Sequence, residues 1–289
     1  MKIIVTGAQG LIGSELLKTL NNNKSFELYP VVMKKHENQN PINEYIECDL
    51  SKEIDFSKFP KSPDVIIHLA QSDNYQYFPD RALNIFNVNT SSTLQLLDYA
   101  RFTGAKKFIL ASSGGIYGTS VSPFSEDDVI TLHRAPNYYL ATKAIDEILC
   151  KHYEQYFCIT ILRIFFAYGK GQNQNMLIPR LISSVKSRLP IFINKFGGTK
   201  INPVYVSDVV NTINKAIDTS GSVVYNISGN EILSIKEIAE NISNSVGIDP
   251  VWEIRDSEEQ NVIGDNTKMK QELHCPTVTF EQGLKYILN

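Results

Sequence analysis

No stretch of this 289-residue sequence approaches the roughly 18 uninterrupted apolar residues of a membrane-spanning helix, so no membrane partner is expected. Cysteine is scarce: Cys48, Cys150, Cys158 and Cys275 stand far apart, with no Cys-x-x-Cys pair. That excludes a disulfide framework and a thiolate metal site, and it predicts reduced thiols in a cytoplasmic setting. The five histidines show no ligand spacing such as His-Glu-x-x-His, so no metal is expected. Neither sign of charge dominates, with 28 Lys and Arg against 31 Asp and Glu and a net charge of −3. A basic footprint for nucleic acid is therefore missing. A signal peptide is not expected either, because MKIIVTGAQG runs directly into a strand and a Gly-rich turn.

What is present is an ordinary globular composition, 43% hydrophobic, in a chain long enough for one large domain or two modest ones. Apolar runs alternate with amphipathic segments through the first half. Strands are predicted at Lys2–Thr6, Glu27–Met33, Tyr45–Glu47, Asp64–Leu69, Lys106–Ser112 and Ile159–Phe165. Between them lie helical patterns over Gly10–Leu20, over Asp80–Arg101 and from near Pro136. Near-continuous apolar strands alternating with helices predict a parallel sheet buried on both faces. The fold class is therefore α/β: a doubly wound, Rossmann-type sheet over residues 1–170. Further helices are expected at Met176–Ser187, Ser207–Asp218, Ser234–Val246 and Phe280–Leu288. Short strands at Val204–Val206 and Val223–Ile227 are expected to return to the sheet. Residues 171–200 and 229–289 should then form a smaller lobe over the C-terminal edges of the strands, where such sheets bind ligands.

Between the first strand and first helix stands Thr6-Gly7-Ala8-Gln9-Gly10-Leu11-Ile12-Gly13. Glycines there permit a tight turn, close approach of backbone to a pyrophosphate, and close helix–strand packing. The helix N-terminus adds unpaired N–H groups and a positive dipole end. The spacing is G-x-x-G-x-x-G, so a purely structural turn is the competing reading. The second strand ends Val32-Met33-Lys34-Lys35, without the acid that receives the ribose hydroxyl of NAD, and Glu37 comes a few residues late. Lys34 or Lys35 could meet a 2′-phosphate, a lean toward NADP over NAD; two solvated loop lysines are the alternative. Asp49-Leu50 and Leu69-Ala70, after strands three and four, could line the adenine and pyrophosphate. His68 reads as a packed core histidine.

A second constellation is Ser112-Ser113-Gly114-Gly115-Ile116-Tyr117-Gly118, followed by Tyr139-Leu140-Ala141-Thr142-Lys143. Four residues apart on a helix, Tyr139 and Lys143 share one face. An ammonium close to a phenol favours the phenolate and makes the tyrosine a usable acid/base. Hydride transfer at a carbinol requires that: a proton leaves oxygen as hydride leaves carbon. Tyr138 next door competes for the role, and the Lys143 spacing favours Tyr139.

With these motifs the chain resembles the extended short-chain dehydrogenase/reductase family, in its NAD(P)-dependent nucleotide-sugar epimerase/dehydratase branch. Other pieces fall in the family's order: Asn89 with Ser92-Thr93, Leu162-Arg163-Ile164-Phe165, Tyr168-Gly169, Val204-Tyr205-Val206-Ser207-Asp208 and Phe280-Glu281-Gln282-Gly283-Leu284. The resemblance implies that Ser113 holds the reacting oxygen and that Tyr139 is the acid/base. It implies that Lys143 bonds the nicotinamide ribose and lowers the tyrosine's pKa. Asn175 would meet the substrate diphosphate. A homodimer paired through the Asp80–Arg101 and Tyr139 helices is implied as well.

Three departures bear on the reaction. Gly114-Gly115 replaces the Asp-Glu pair of sugar 4,6-dehydratases, leaving nothing to protonate a departing hydroxyl. Phe166 stands where many 4-epimerases have Asn, and Ile201-Asn202-Pro203 replaces Arg-Asp-Phe. The leading reading is hydride transfer at C4 of a nucleotide-activated sugar, as 4-epimerase or 4-ketoreductase. A non-catalytic NAD(P)-binding sensor is the alternative, and a reductase of lipophilic or phenolic ketones a third reading.

Overall fold

The first apolar run forms β1 (Lys2–Thr6), and the Gly-rich turn after it opens α1 (Leu11–Asn21). In this computed structural model, which describes residues 1–35, 45–131, 135–258 and 260–289, the alternation continues through β2 (Glu27–Val32), β3 (Ile46–Glu47) and β4 (Val65–His68). Next come α2 (Ala82–Phe86), α3 (Ser92–Thr103), β5 (Lys107–Ser113), α4 (Tyr138–Tyr153) and β6 (Cys158–Ile164). The second half supplies β7 (Ala167–Tyr168), α5 (Leu177–Lys186), β8 (Pro190–Ile193), β9 (Lys200–Ile201), β10 (Val204–Tyr205), α6 (Val206–Ala216) and β11 (Val223–Ile227). After these follow β12 (Leu233–Ser234), α7 (Ile235–Val246), β13 (Val251–Ile254), α8 (Thr267–Glu272) and α9 (Phe280–Leu288).

Seven strands make one wholly parallel sheet in the order β3-β2-β1-β4-β5-β6-β11, the doubly wound α/β arrangement expected from the alternation. Successive side chains of each strand serve opposite faces. Ile3 and Val5 pack with Leu16, Leu17 and Val209 on one face, while Ile4 packs with Leu96, Leu97 and Phe108 on the other. Each such fully buried side chain is worth about 1.5–3 kcal/mol. The chain's direction of travel across the sheet reverses between β1 and β4, which opens a crevice at their C-terminal ends. A third apolar cluster, with Ile178, Leu181, Ile182, Ile238, Ile242 and Phe280, forms the core of the C-terminal part. Among the described residues, no helix is long and apolar enough to cross a membrane.

Several elements differ from the sequence reading. The single helix expected over Asp80–Arg101 is α2 and α3 joined by a π-helical turn at Asn87–Ser91. Helix α4 begins at Tyr138, not near Pro136, because the Asn137 side chain caps it by accepting from Leu140 N at 2.9 Å. The expected return of Val204–Val206 to the main sheet does not occur: Val204–Tyr205 pairs with Ala167–Tyr168 in a separate ladder, and Val206 already starts α6. Phe166, held at φ +46°, turns the chain away from the sheet just after β6. Only Val223–Ile227 returns, as β11 beside β6. The β8–β13 pair and the short β9–β12 ladder were without a clear pattern in the sequence.

Candidate active site

The Gly-rich turn lies against the end of β4. Gly7 has φ +65°, and a Cβ there would stand 2.8 Å from Ala70 N and Leu69 C, so glycine is required on two counts. Thr6 Oγ1 accepts from Leu69 N and Ala70 N, each at 3.2 Å, which leaves its proton for His68 Nδ1 at 2.7 Å. His68 is wholly buried, and burial pushes its pKa down to about 3, so it packs as a neutral ring. A Cβ on Gly13 would lie 2.2 Å from Gly7 O, so the third glycine serves helix–strand packing. Gly10 differs. It is the extended N-cap of α1, no side chain caps the helix, and its Cβ would meet only Gly7 O at 3.2 Å. The first-turn N–H groups of Leu11, Ile12 and Gly13 therefore lack intrahelical acceptors, and no acidic side chain occupies that turn. Such a cradle fits the pyrophosphate of a dinucleotide.

Gln9 Nε2 donates to Lys34 O at 2.9 Å and ties this turn to the end of β2. Lys34 and Lys35 are exposed there, with Lys35 N donating to Glu47 Oε2 at 3.2 Å. Glu37 lies outside the described residues. Asp49 engages locally: Oδ1 accepts from Ser51 N at 3.0 Å and Ser51 Oγ at 2.7 Å, and Oδ2 pairs with Lys52 at 3.2 Å. Leu50 is buried in the core beneath it. The turn, Leu69 and Ala70 are thus brought together, whereas Asp49 and Leu50 have partners of their own.

One strand beyond β4, Ser113 ends β5 half-buried, its Oγ accepting from Gly115 N at 3.2 Å. Tyr139, the second residue of α4, donates its hydroxyl to Gln71 Oε1 at 2.9 Å, and its ring lies 5.7 Å from that of Tyr75. Tyr138 instead stacks on Phe78 with ring centroids 4.6 Å apart. Lys143 is buried, and its ammonium donates to Ala111 O at 2.9 Å. Burial, helped by Asp146 and Tyr75, pushes the Tyr139 hydroxyl above its ordinary range. Burial also lowers Lys143, while Asp146 opposes that shift. The lowering of Tyr139 expected from Lys143 does not occur: burial, Asp146 and Tyr75 all push it up, and the tyrosine rests in its acid form.

Gln71 and Tyr75 were missed in the sequence. Both lie in the segment after β4, Gln71 three and Tyr75 seven residues past His68, and position beyond that strand's C-terminal edge was the signal available. Asn175 sits on the exposed loop before α5, where its N–H donates to Asn173 Oδ1 at 2.9 Å. The next residue, Met176, accepts from Tyr75 Oη at 3.5 Å, which brings this loop beside Tyr139's aromatic neighbour. Beneath Ser113, Arg163 holds Glu147 with both ends of its guanidinium, Nη2 to Oε2 at 2.8 Å and Nε to Oε1 at 3.1 Å. Ser112 donates to the same carboxylate, and Tyr117, itself bonded to Arg163, donates to Asn226 Oδ1 at 2.9 Å. This buried network anchors the end of β5 to α4 and β6.

Two clefts lie away from these groups. One of about 520 Å³ runs between α1, α6 and α9, past Lys18, Lys170 and Lys285. Another of about 340 Å³ in the C-terminal part is lined by Phe192, Asn194, Arg255 and Gln260, with the Arg255 guanidinium 3.3 Å from the Phe192 ring centroid.

A model described as the NAD dependent epimerase/dehydratase family matches residues 3–228. An uncharacterized UDP-glucose epimerase of Bacillus subtilis is 28% identical over 305 residues, covering 98% of this chain and 96% of that protein. A UDP-N-acetyl-alpha-D-glucosaminuronate decarboxylase of Bacillus cytotoxicus is 29% identical, with 98% and 95% coverage. Among solved structures, the UDP-glucuronic acid 4-epimerase of Bacillus cereus, in complex with UDP-glucuronic acid and NAD, superposes with a TM-score of 0.86 at 27% identity, covering 99% of this chain and 97% of that one.

Proposed function

Because the chain belongs to the NAD-dependent epimerase/dehydratase family, we propose that it transfers hydride at C4 of a nucleotide-activated sugar, as a 4-epimerase. The observation that supports this reading is the spacing of Tyr139 and Lys143 on α4, with Lys143 Nζ donating to Ala111 O two residues before Ser113 on β5, together with the uncapped N-terminus of α1 after the Gly-rich turn. Gly7, Gly10 and the first-turn N–H groups of α1 would hold the pyrophosphate of the dinucleotide. That group, when bound, supplies the hydride acceptor and donor. Once ionised by loss of its resting proton to solvent, Tyr139 takes the proton from the sugar's O4 and returns it, and Ser113 Oγ bonds the same oxygen. Lys143 orients the ribose and holds positive charge beside the tyrosine. Asn175 is the amide that we assign to the diphosphate.

Water elimination is disfavoured by the space around Gly114. A Cβ there would lie 2.4 Å from the Phe165 ring, and one on Gly115 would meet Leu140 at 2.9 Å, so a side chain at either position would have to displace a neighbour, and the two glycines supply no acid to protonate a departing hydroxyl. NAD is the carrier in the structure of the Bacillus cereus relative, and the lean toward NADP rests on Lys34 and Lys35. The homodimer we propose pairs α2, α3 and α4 with their copies: Leu83, Leu94, Ile145 and Ile148 leave an apolar strip exposed on those helices.

The test offers the purified protein UDP-glucose, UDP-glucuronic acid and 4-keto-6-deoxy nucleotide sugars, with NAD, NADH or NADPH. A 4-epimerase inverts C4, seen by sugar NMR, with no net change in nicotinamide absorbance. Stoichiometric consumption of NADH or NADPH with a 4-keto sugar assigns a 4-ketoreductase instead. Cofactor binding without turnover of any sugar sinks both in favour of the sensor.

A further inference from the structure

Directly behind Lys143 lies a carboxyl group that the proton transfer described above does not use. Asp146 is one turn further along α4, fully buried, and neither of its oxygens has a hydrogen-bond partner. Burying an unpaired carboxylate is costly unless something nearby rewards its charge. The groups facing it are few. On α4 they are Lys143, Glu147 and Cys150, with Tyr139 two turns back. Thr90, in the π-helical turn, and Thr93, on α3, also face it; the Thr93 hydroxyl donates to Asn89 O at 2.6 Å, while the Thr90 hydroxyl is without a partner. From the sheet, His68 on β4 faces Lys143 as a neutral ring, its Nε2 also lacking a hydrogen-bond partner. Arg163, on β6, is taken up by Glu147.

Lys143 needs an anion. Among the described residues its buried ammonium has one hydrogen-bond acceptor, the Ala111 carbonyl. Glu147 favours that charge less than Asp146 does, and Arg163 and Ser112 already occupy its oxygens. Asp146 is the carboxyl left over.

We propose that Asp146 is a positioning residue for the Tyr139–Lys143 pair, acting from behind Lys143 to hold the ammonium charged and Tyr139 in its acid form. The inference rests on the reading of that pair as the proton-handling groups. Both effects have one sign: a negative charge nearby makes both a lysine and a tyrosine harder to deprotonate. Burial raises Asp146 itself to about 7, so its charge, and with it this hold, develops as pH passes neutrality.

Removing the charge should move both partners toward lower pH. In protein carrying ¹³C-labelled lysine side chains, the Lys143 signal is assigned by its loss in Lys143→Met and titrated with and without saturating NAD. Asp146→Asn should lower the Lys143 midpoint by about one to three pH units, the usual effect of losing an adjacent opposite charge. Where a turned-over sugar is in hand, the whole pH–rate profile should move acidward in that variant, a shift that lost packing alone would not cause. If Asp146→Asn folds poorly, Asp146→Ser carries the same titration. An unmoved Lys143 midpoint in a folded variant overturns the proposal. Failure of every sugar in the panel sinks the proposed function but leaves the titration decisive.

Discussion

At the scale of single residues, the three glycines of the turn are not equivalent. Gly13→Val places a side chain 2.2 Å from backbone and should destabilise the fold, read as a lowered Tm. Gly10→Val meets only one carbonyl at 3.2 Å, so the fold should survive while the cradle is filled; calorimetry should find NAD(P) binding abolished at an unchanged Tm. Tyr139→Phe should cost about 10²–10⁴-fold in rate, the usual contribution of a general acid–base group, with cofactor affinity nearly intact. Lys143→Met should impair both. Activity lost in Tyr138→Phe and kept in Tyr139→Phe would reverse that assignment. Lys34→Ala with Lys35→Ala should reduce NADP affinity about tenfold and spare NAD, since the 2′-phosphate is the only group that distinguishes them. An unchanged affinity ratio would reduce the two lysines to solvated loop charges. Asp146 also leaves a mark on stability. Its folded pKa, about 7, lies above the unfolded value of 3.8, so the protonated form folds better. Its contribution is full below pH 3.8 and is lost as pH rises to about 7. The stability of Asp146→Asn relative to the parent should therefore climb by about 2–4 kcal/mol across that window and stay level above it, read by urea unfolding at several pH values.

Elements are joined at the site by polar groups that cannot be separated cheaply. Helix α4 carries Tyr139, Lys143, Asp146 and Glu147 along one inward face, and the Glu147–Arg163 pair fastens that face to β6. Truncating one member of a buried ion pair leaves the other charge stranded, at about 3–5 kcal/mol. Glu147→Ala should thus be among the most destabilising changes on this helix, and it should also release Ser112. Asn137→Ala removes one cap bond and should cost about 0.5–2 kcal/mol. The two can be ranked by denaturant midpoint, and a cap variant less stable than Glu147→Ala would show that the pair contributes little. On the flank of α4 that carries Thr142 and Asp146, the π-helical turn reaches across through Asn89, whose Nδ2 donates to Thr142 Oγ1 at 2.9 Å. The extra residue in such a turn widens the helix locally, and turns of this kind cluster near functional sites.

At the scale of the whole molecule, an exposed apolar strip remains on α2, α3 and α4. Leu83 is 72% exposed and Ile148 41%, on helices whose opposite faces are already buried. Exposed large apolar side chains on neighbouring helices are the feature from which the dimer is proposed. Light scattering at micromolar concentration should return twice the chain mass, and Leu83→Glu with Ile148→Glu should return a monomer. A parent protein that scatters as a monomer removes the dimer.

The alternation of apolar runs and helical patterns determined the α/β class, because burial on both sheet faces demands near-continuous Val, Ile and Leu in the strands. The Gly turn and the Tyr139–Lys143 spacing were legible for the same reason: each depends on contacts within a few residues. Other features depended on groups far apart in the chain. Nothing local to Val204–Tyr205 says that it pairs with Ala167–Tyr168, since a two-residue ladder has no periodicity to read. Gln71 became a partner of Tyr139 only when β4 and α4 were set side by side. A carboxylate on an amphipathic helix reads as solvated until the neighbouring elements close over it. Tertiary packing decided that Asp146 faces inward, that Glu147 is already engaged, and hence which charge stands behind Lys143.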